Sequence, residues 1–149
     1  MLQSAGLVAF AASADLDRSR EFYQDILGLT LVSRDDFACV FDAAGTVLRV
    51  TAVPEPARAV YTVLGWEVPD ITATASGLAG RGVTFLRYDV MSQDADGIWT
   101  APGGARIAWF PDPDGNILSL TQYPPGTDKF ERHAESGTGR ESTEGLAND

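Results

Sequence analysis

Histidine is almost absent from this chain. It carries one, His133, and one lysine, Lys129, both near the C-terminus. The body offers no imidazole to a metal and no amine for a Schiff base. A Ser-His-Asp or Cys-His arrangement would have to borrow His133 from the tail. Cysteine is equally scarce, and Cys39 alone excludes an internal disulfide framework. A lone cysteine fits a reducing compartment, and Cys39 reads as a small packed apolar residue rather than a reactive thiol. Positive charge is also short, with 11 basic residues against 21 acidic ones and a net charge of −10. Nucleic acid or an anionic membrane would want a basic patch, so neither is expected as a partner. No apolar run approaches the roughly 18 residues of a membrane span. The opening Met1-Leu2-Gln3-Ser4-Ala5-Gly6 lacks the basic region of a signal peptide, so a cytoplasmic location is expected.

What is present is organised around Ile107 to Leu120. Two apolar runs flank Pro111-Asp112-Pro113-Asp114-Gly115-Asn116. Pro and Asp pre-set a turn, and Gly-Asn supplies the positive φ that closes a hairpin. Upstream, Leu7 to Ala12 reads as a strand, and Ser13-Ala14-Asp15 offers N-cap residues. Leu16, Ser19, Phe22, Tyr23, Ile26 and Leu27 then recur at helical spacing up to Gly28, a C-cap glycine. Leu29 to Ser33, Phe37 to Phe41 and Thr46 to Val53 read as three further strands, and Pro54-Glu55-Pro56 as a linker.

The pattern then repeats. Val60 to Val68 predicts a strand, Ile71 to Ala79 a helix opened by Pro69-Asp70, and Val83 to Tyr88 another strand. Val8 to Asp15 corresponds to Val63 to Asp70 at an offset of 55 residues, and Gly28 to Gly82 at 54. The chain is thus expected to be α+β, with two tandem βαβββ modules. Residues 1–123 form this domain, with module one at about 5–53 and module two at about 59–123. Residues 124–149 form a flexible acidic tail too poor in large apolar residues to fold alone. The second module carries an insertion, Asp89 to Gly104. Its lone Trp99 makes it either a pocket lid or an anchored surface loop.

These elements resemble the vicinal-oxygen-chelate superfamily, the glyoxalase I, bleomycin-resistance and extradiol-dioxygenase group. The resemblance rests on Asp15-Leu16, Phe22-Tyr23, Leu27-Gly28 and Asp112 to Asn116, and covers about 7–123. It implies paired four-stranded sheets curled around a cleft, with helices outside. It also implies a homodimer, because chains with two modules often build each cleft from both subunits. Metal-dependent relatives commonly place histidine seven residues before the Asp that opens each helix, and those positions here are Val8 and Val63. A carboxylate or Gln commonly stands in the fourth strand, which here gives Arg49, or Thr51 if the register slips. A Glu commonly follows the Gly-Asn turn by three residues, and here that is Ser119. Valine has no donor, arginine is a permanent cation, and a lone serine is a poor ligand. No metal and no other cofactor is expected.

Strand alternation names the cleft-facing residues. Val8 brings Phe10 to that face, Arg49 brings Thr51, and Val63 brings Glu67. With Ser119 and Trp99, these eight are the candidate ligand-binding residues. Trp66 has the opposite parity and should pack under its helix, whereas parity does not decide between Trp109 and Phe110. A mostly apolar face with one cation suits an amphipathic or anionic small organic ligand. Arg49 would hold the anion, unless it pairs with Glu67 or another acid. The first reading is therefore a metal-independent binding protein of the glyoxalase and bleomycin-resistance type. An alternative is a glyoxalase- or dioxygenase-like lyase, isomerase or oxidoreductase with an unconventional centre, using Glu67, Gln93, Gln122 or water. In a metal-free variant of it, Glu67 is the base and Arg49 holds an enolate. The third is a subunit or regulatory module whose tail engages a partner. The residues leave catalysis open.

Overall fold

The computed structural model describes residues 1–126, 128–131 and 133, so the expected tail lies from residue 134 outside the described residues. The fold is α+β, with two four-stranded sheets. The first takes β1 (Val8–Ser13), β2 (Thr30–Arg34), β3 (Ala38–Ala43) and β4 (Thr46–Ala52) in the order β1-β4-β3-β2. β1 runs parallel to β4, and the other pairs are antiparallel. The second takes β5 (Thr62–Glu67), β6 (Trp99–Thr100), β7 (Arg106–Pro111) and β8 (Ile117–Gln122) in the order β5-β8-β7-β6.

The expected repeat is visible in its caps. α1 (Leu16–Arg20) opens at Asp15, whose carboxylate accepts from Arg18 N. α2 (Ile71–Gly80) opens at Asp70, which accepts from Ala73 N in the same way. Each carboxylate satisfies one of the orphan donors of a helix start. The helices are left through Gly28 and Gly82, both at positive φ, where glycine avoids the Cβ penalty.

Two features differ from the pattern expected. The first helix continues beyond Arg20 as a π-helical segment, Glu21–Ile26. It carries two successive buried aromatics, Phe22 and Tyr23. Val83 to Tyr88 is not a strand. There the amide of Gln93 accepts from Tyr88 N and donates to Leu86 O, taking over groups that a ladder would have paired. The insertion itself supplies the missing fourth strand, β6, paired antiparallel to β7.

The chain divides into two compact units, Met1–Leu64 with Pro111–Leu118, and Gly65–Phe110 with Ser119–Asp149. In the first, one face of the sheet packs under the helix. Cys39, Phe41, Leu48 and Val50 are buried there with Tyr23 and Phe22. Tyr23 stands 5.1 Å edge-on from Phe22 and 5.6 Å from Phe41. Cys39 is fully buried, as its apolar surroundings led one to expect, and burial raises its thiol pKa.

The 111–118 hairpin turn closes this unit. Gly115 provides the positive φ, and Asn116 does not need it. Asp112 Oδ1 accepts from Asp114 N and Asn116 N, and its Oδ2 from Asn116 Nδ2. The turn is thereby held by its own hydrogen bonds. Tyr23 Oη then donates to Asp112 Oδ2 at 2.7 Å, in a buried site. Asn116 Nδ2 reaches Ala12 O, and Asp114 accepts from Ala14 N, Arg18 and Ser19. Two residues that carried the family resemblance, Tyr23 and Asp112, are therefore bonded to each other across 89 positions.

Burial, reinforced by the charge and hydrogen bond of Asp112, raises the Tyr23 pKa far above the usual phenol value. Folding thus favours the neutral phenol. This contribution is whole below about pH 10, where an unfolded tyrosine titrates, and is lost as pH rises above it. Tyr23→Phe leaves Asp112 one buried hydrogen bond short. We expect a loss of about 1–3 kcal/mol, read as a lower urea midpoint at unchanged slope. Above about pH 10 wild type should lose stability faster than the variant. Coincident midpoints at neutral pH would show that the bond contributes nothing.

Candidate functional site

Along β1 and β4 the side chains alternate between the helix-packed face and an open one. Val8 pairs with Val47, Phe10 with Arg49 and Ala12 with Thr51. Ala11, Ser13, Leu48 and Val50 take the other side and are buried. The open face therefore gathers four of the candidate residues, Val8, Phe10, Arg49 and Thr51. Phe10 is 62% exposed, Val8 43% and Val47 42%, so the apolar surface around Arg49 is open to solvent. Arg49 is half-buried. Its guanidinium makes no hydrogen bond or ion pair among the described residues. Its charge is felt at Asp35, whose carboxyl pKa is lowered mainly by hydrogen bonds from Phe37 N and Ala38 N and only slightly by Arg49. Thr51 Oγ1 is buried and finds no hydrogen-bond partner among the described residues.

Four other candidates fall on the second sheet. Val63 in β5 is half-buried. Ser119 in β8 is buried, and its hydroxyl occupies the space beside Gly65, where a Cβ would lie 2.7 Å from Oγ. Trp99 sits in β6 opposite Ile107 and 6.3 Å from Trp109. Tyr88 meets Trp109 edge-on at 5.6 Å, and burial raises its phenol pKa. Phe110 is fully buried, so Trp109 takes the half-exposed side that parity had left undecided. Trp66, expected under its helix, is half-buried. Within the insertion, Asp94 accepts from Asp96 N and Ile98 N, and Arg87 donates to Asp94 O and Ala95 O. The segment that presents Trp99 is thus held by its own hydrogen bonds.

Glu67 has company that the sequence did not predict. His133 Nε2 lies 3.6 Å from its carboxylate, and His133 Nδ1 lies 3.0 Å from Tyr123 Oη. No local pattern links positions 67, 123 and 133. The only available signal was the scarcity of histidine itself.

The donor set at the four metal-ligand positions does not fit a divalent metal. Val8 and Val63 have no donor atom, Arg49 brings a positive charge, and the Ser119 hydroxyl packs against β5. Among the described residues no group of three or more His, Cys, Asp or Glu side chains converges on a point. No described helix is long and apolar enough to cross a membrane.

The family model for the Glyoxalase/Bleomycin resistance protein/Dioxygenase superfamily matches residues 7–120, and the chain belongs to that superfamily. Solved structures agree in fold. A superfamily member from Sphaerobacter thermophilus matches with a TM-score of 0.63 at 20% identity, covering 82% of this chain and 99% of that one. A lactoylglutathione lyase from Agrobacterium tumefaciens matches at 0.62 and 16%, covering 80% and 93%. A glyoxalase/bleomycin resistance protein from Catenulispora acidiphila matches at 0.61 and 24%, covering 81% and 100%. No curated protein matches the chain. Identities this low show a shared fold and leave the chemistry to the residues of this chain.

Thr51 supplies a direct check on the site as described. A buried hydroxyl without a partner costs stability, and valine keeps its shape without the oxygen. Thr51→Val is expected to raise stability by up to about 1 kcal/mol, read from the urea midpoint. A lower midpoint would show that the hydroxyl is hydrogen-bonded in solution.

Proposed function

We propose that this chain is a metal-independent binding protein for a small amphipathic organic ligand that carries an anionic group. Arg49 holds that group, and the exposed apolar side chains around it take the rest. One observation carries the reading. Arg49 is half-buried on an open apolar face and has no hydrogen bond or ion pair among the described residues. Keeping such a guanidinium partly desolvated and unpaired is costly unless something else supplies the acceptor. Its planar fork suits a carboxylate, phosphate or enolate oxygen. Phe10, next to it in register, offers a ring face for the ligand's apolar part. The donor-poor residues at positions 8, 49, 63 and 119 support binding without a metal. Cytoplasmic location and homodimerisation belong to the same proposal.

The test is a thermal-shift screen of wild type against arylcarboxylates and neutral aromatics of matched size. Carboxylates should raise the melting temperature, and their neutral analogues should do so less. Arg49→Ala should weaken carboxylate binding roughly 10- to 100-fold, the span of a lost charge-assisted hydrogen bond. Arg49→Lys should recover only part of it, since lysine lacks the fork. Equal shifts for wild type and Arg49→Ala would remove Arg49 from the site.

A further inference from the structure

The second unit holds a constellation that the ligand-binding proposal does not use. Tyr123 and Glu67 both line a cavity of about 360 Å³, together with Pro69, Gln122 and Pro124. Its two walls are tied together by hydrogen bonds. Val68 N donates to Thr121 O, and Ile71 N donates to the Gln122 side-chain oxygen. The end of β5 that carries Glu67 is therefore tied to the end of β8 just before Tyr123. His133 lies against both. Its ring is 4.6 Å from the Tyr123 ring, with Nδ1 at 3.0 Å from Oη and Nε2 at 3.6 Å from the Glu67 carboxylate. A carboxylate facing Nε2 favours the tautomer that carries its proton there. Nδ1 is then left as an acceptor for the phenol.

Among the tyrosines this one stands apart. Tyr23 donates to a carboxylate, but it is sealed in the core. Tyr88 is edge-on to an indole, and burial raises its pKa. Tyr61 is 69% exposed and has no hydrogen bond among the described residues. Tyr123 alone combines partial exposure, a cavity and an imidazole nitrogen within hydrogen-bond distance.

We propose that Tyr123, His133 and Glu67 form a nucleophilic phenol site that accepts acyl groups from small activated esters bound in this cavity. The proposal stands independently of Arg49. Tyr123 Oη attacks the ester carbonyl carbon while its proton passes to His133 Nδ1. The new bond joins Oη to the acyl carbon. The bond from that carbon to the leaving oxygen breaks, and the aryl oxide departs with the electron pair. Glu67 acts through the imidazole, stabilising the positive charge that His133 acquires, and so is a positioning residue. The cavity volume suits a small ester.

The full-length protein is incubated with p-nitrophenyl acetate, and acetylated tyrosines are mapped by peptide mass spectrometry over time. Tyr61 serves as the exposed internal reference. Tyr123 should be acetylated at least about tenfold faster than Tyr61, a modest share of what a positioned base supplies. His133→Gln keeps a hydrogen-bonding group without a basic nitrogen, and should bring Tyr123 down to the Tyr61 rate. Glu67→Ala should lower the rate in part, and Glu67→Asp should recover most of it. Tyr123 reacting no faster than Tyr61 would overturn the proposal. So would an undiminished rate in His133→Gln, since His133 would then only hold the ring in place.

Discussion

The hydrogen bond from Tyr23 to Asp112 is the contact on which the first unit depends. It joins the π-helical turn after α1 to a hairpin loop far downstream, and it does so in the buried interior. Each residue supplies a buried hydrogen-bond partner to the other. Asp112 sits at 5% exposure because Tyr23, Asn116 and two backbone amides meet its oxygens. Tyr23 is fully buried because its hydroxyl has an acceptor waiting. Around this pair, Asp114 and Asn116 tie the same loop to β1 and to the start of α1. A buried polar network of this kind stabilises only when every member is satisfied. That condition explains why an Asp-rich turn and a Phe-Tyr pair occur together in one chain.

The first sheet then separates two tasks. Its helix-packed face, with Cys39, Phe41, Leu48 and Val50, is the buried one. Its open face, with Val8, Phe10 and Arg49, contributes little to that core. Side chains on the open face are therefore free to change while the fold persists. This is the physical basis on which a superfamily member can hold valine at position 8 and arginine at position 49, where the resemblance implies ligands in metal-dependent relatives.

Much of this was legible in the sequence because it rests on local rules. Asp15 and Asp70 cap helices whose periodicity announced them, and Gly28 and Gly115 stand where the backbone turns to positive φ. Alternation placed Val8, Phe10, Arg49 and Thr51 on one face, because period two is a property of the strand itself. What failed depended on distant groups. Val83 to Tyr88 has the composition of a strand, yet the Gln93 amide claims its backbone. The π-helical winding has no periodic signature of its own. Parity could not choose between Trp109 and Phe110, because contacts from outside the strand, such as Phe85 against Phe110, decide which face is inside. Nothing local could bring His133 to Glu67 across more than 60 residues.

The central proposal is that this superfamily member binds its ligand without the metal. Elemental analysis tests that most directly. The protein would be expressed in medium supplemented with zinc, nickel, iron and manganese, dialysed without chelator, and its metal content measured by plasma mass spectrometry. The account predicts far less than one atom of any of these metals per chain. One tightly held atom per chain, retained through dialysis, would contradict it.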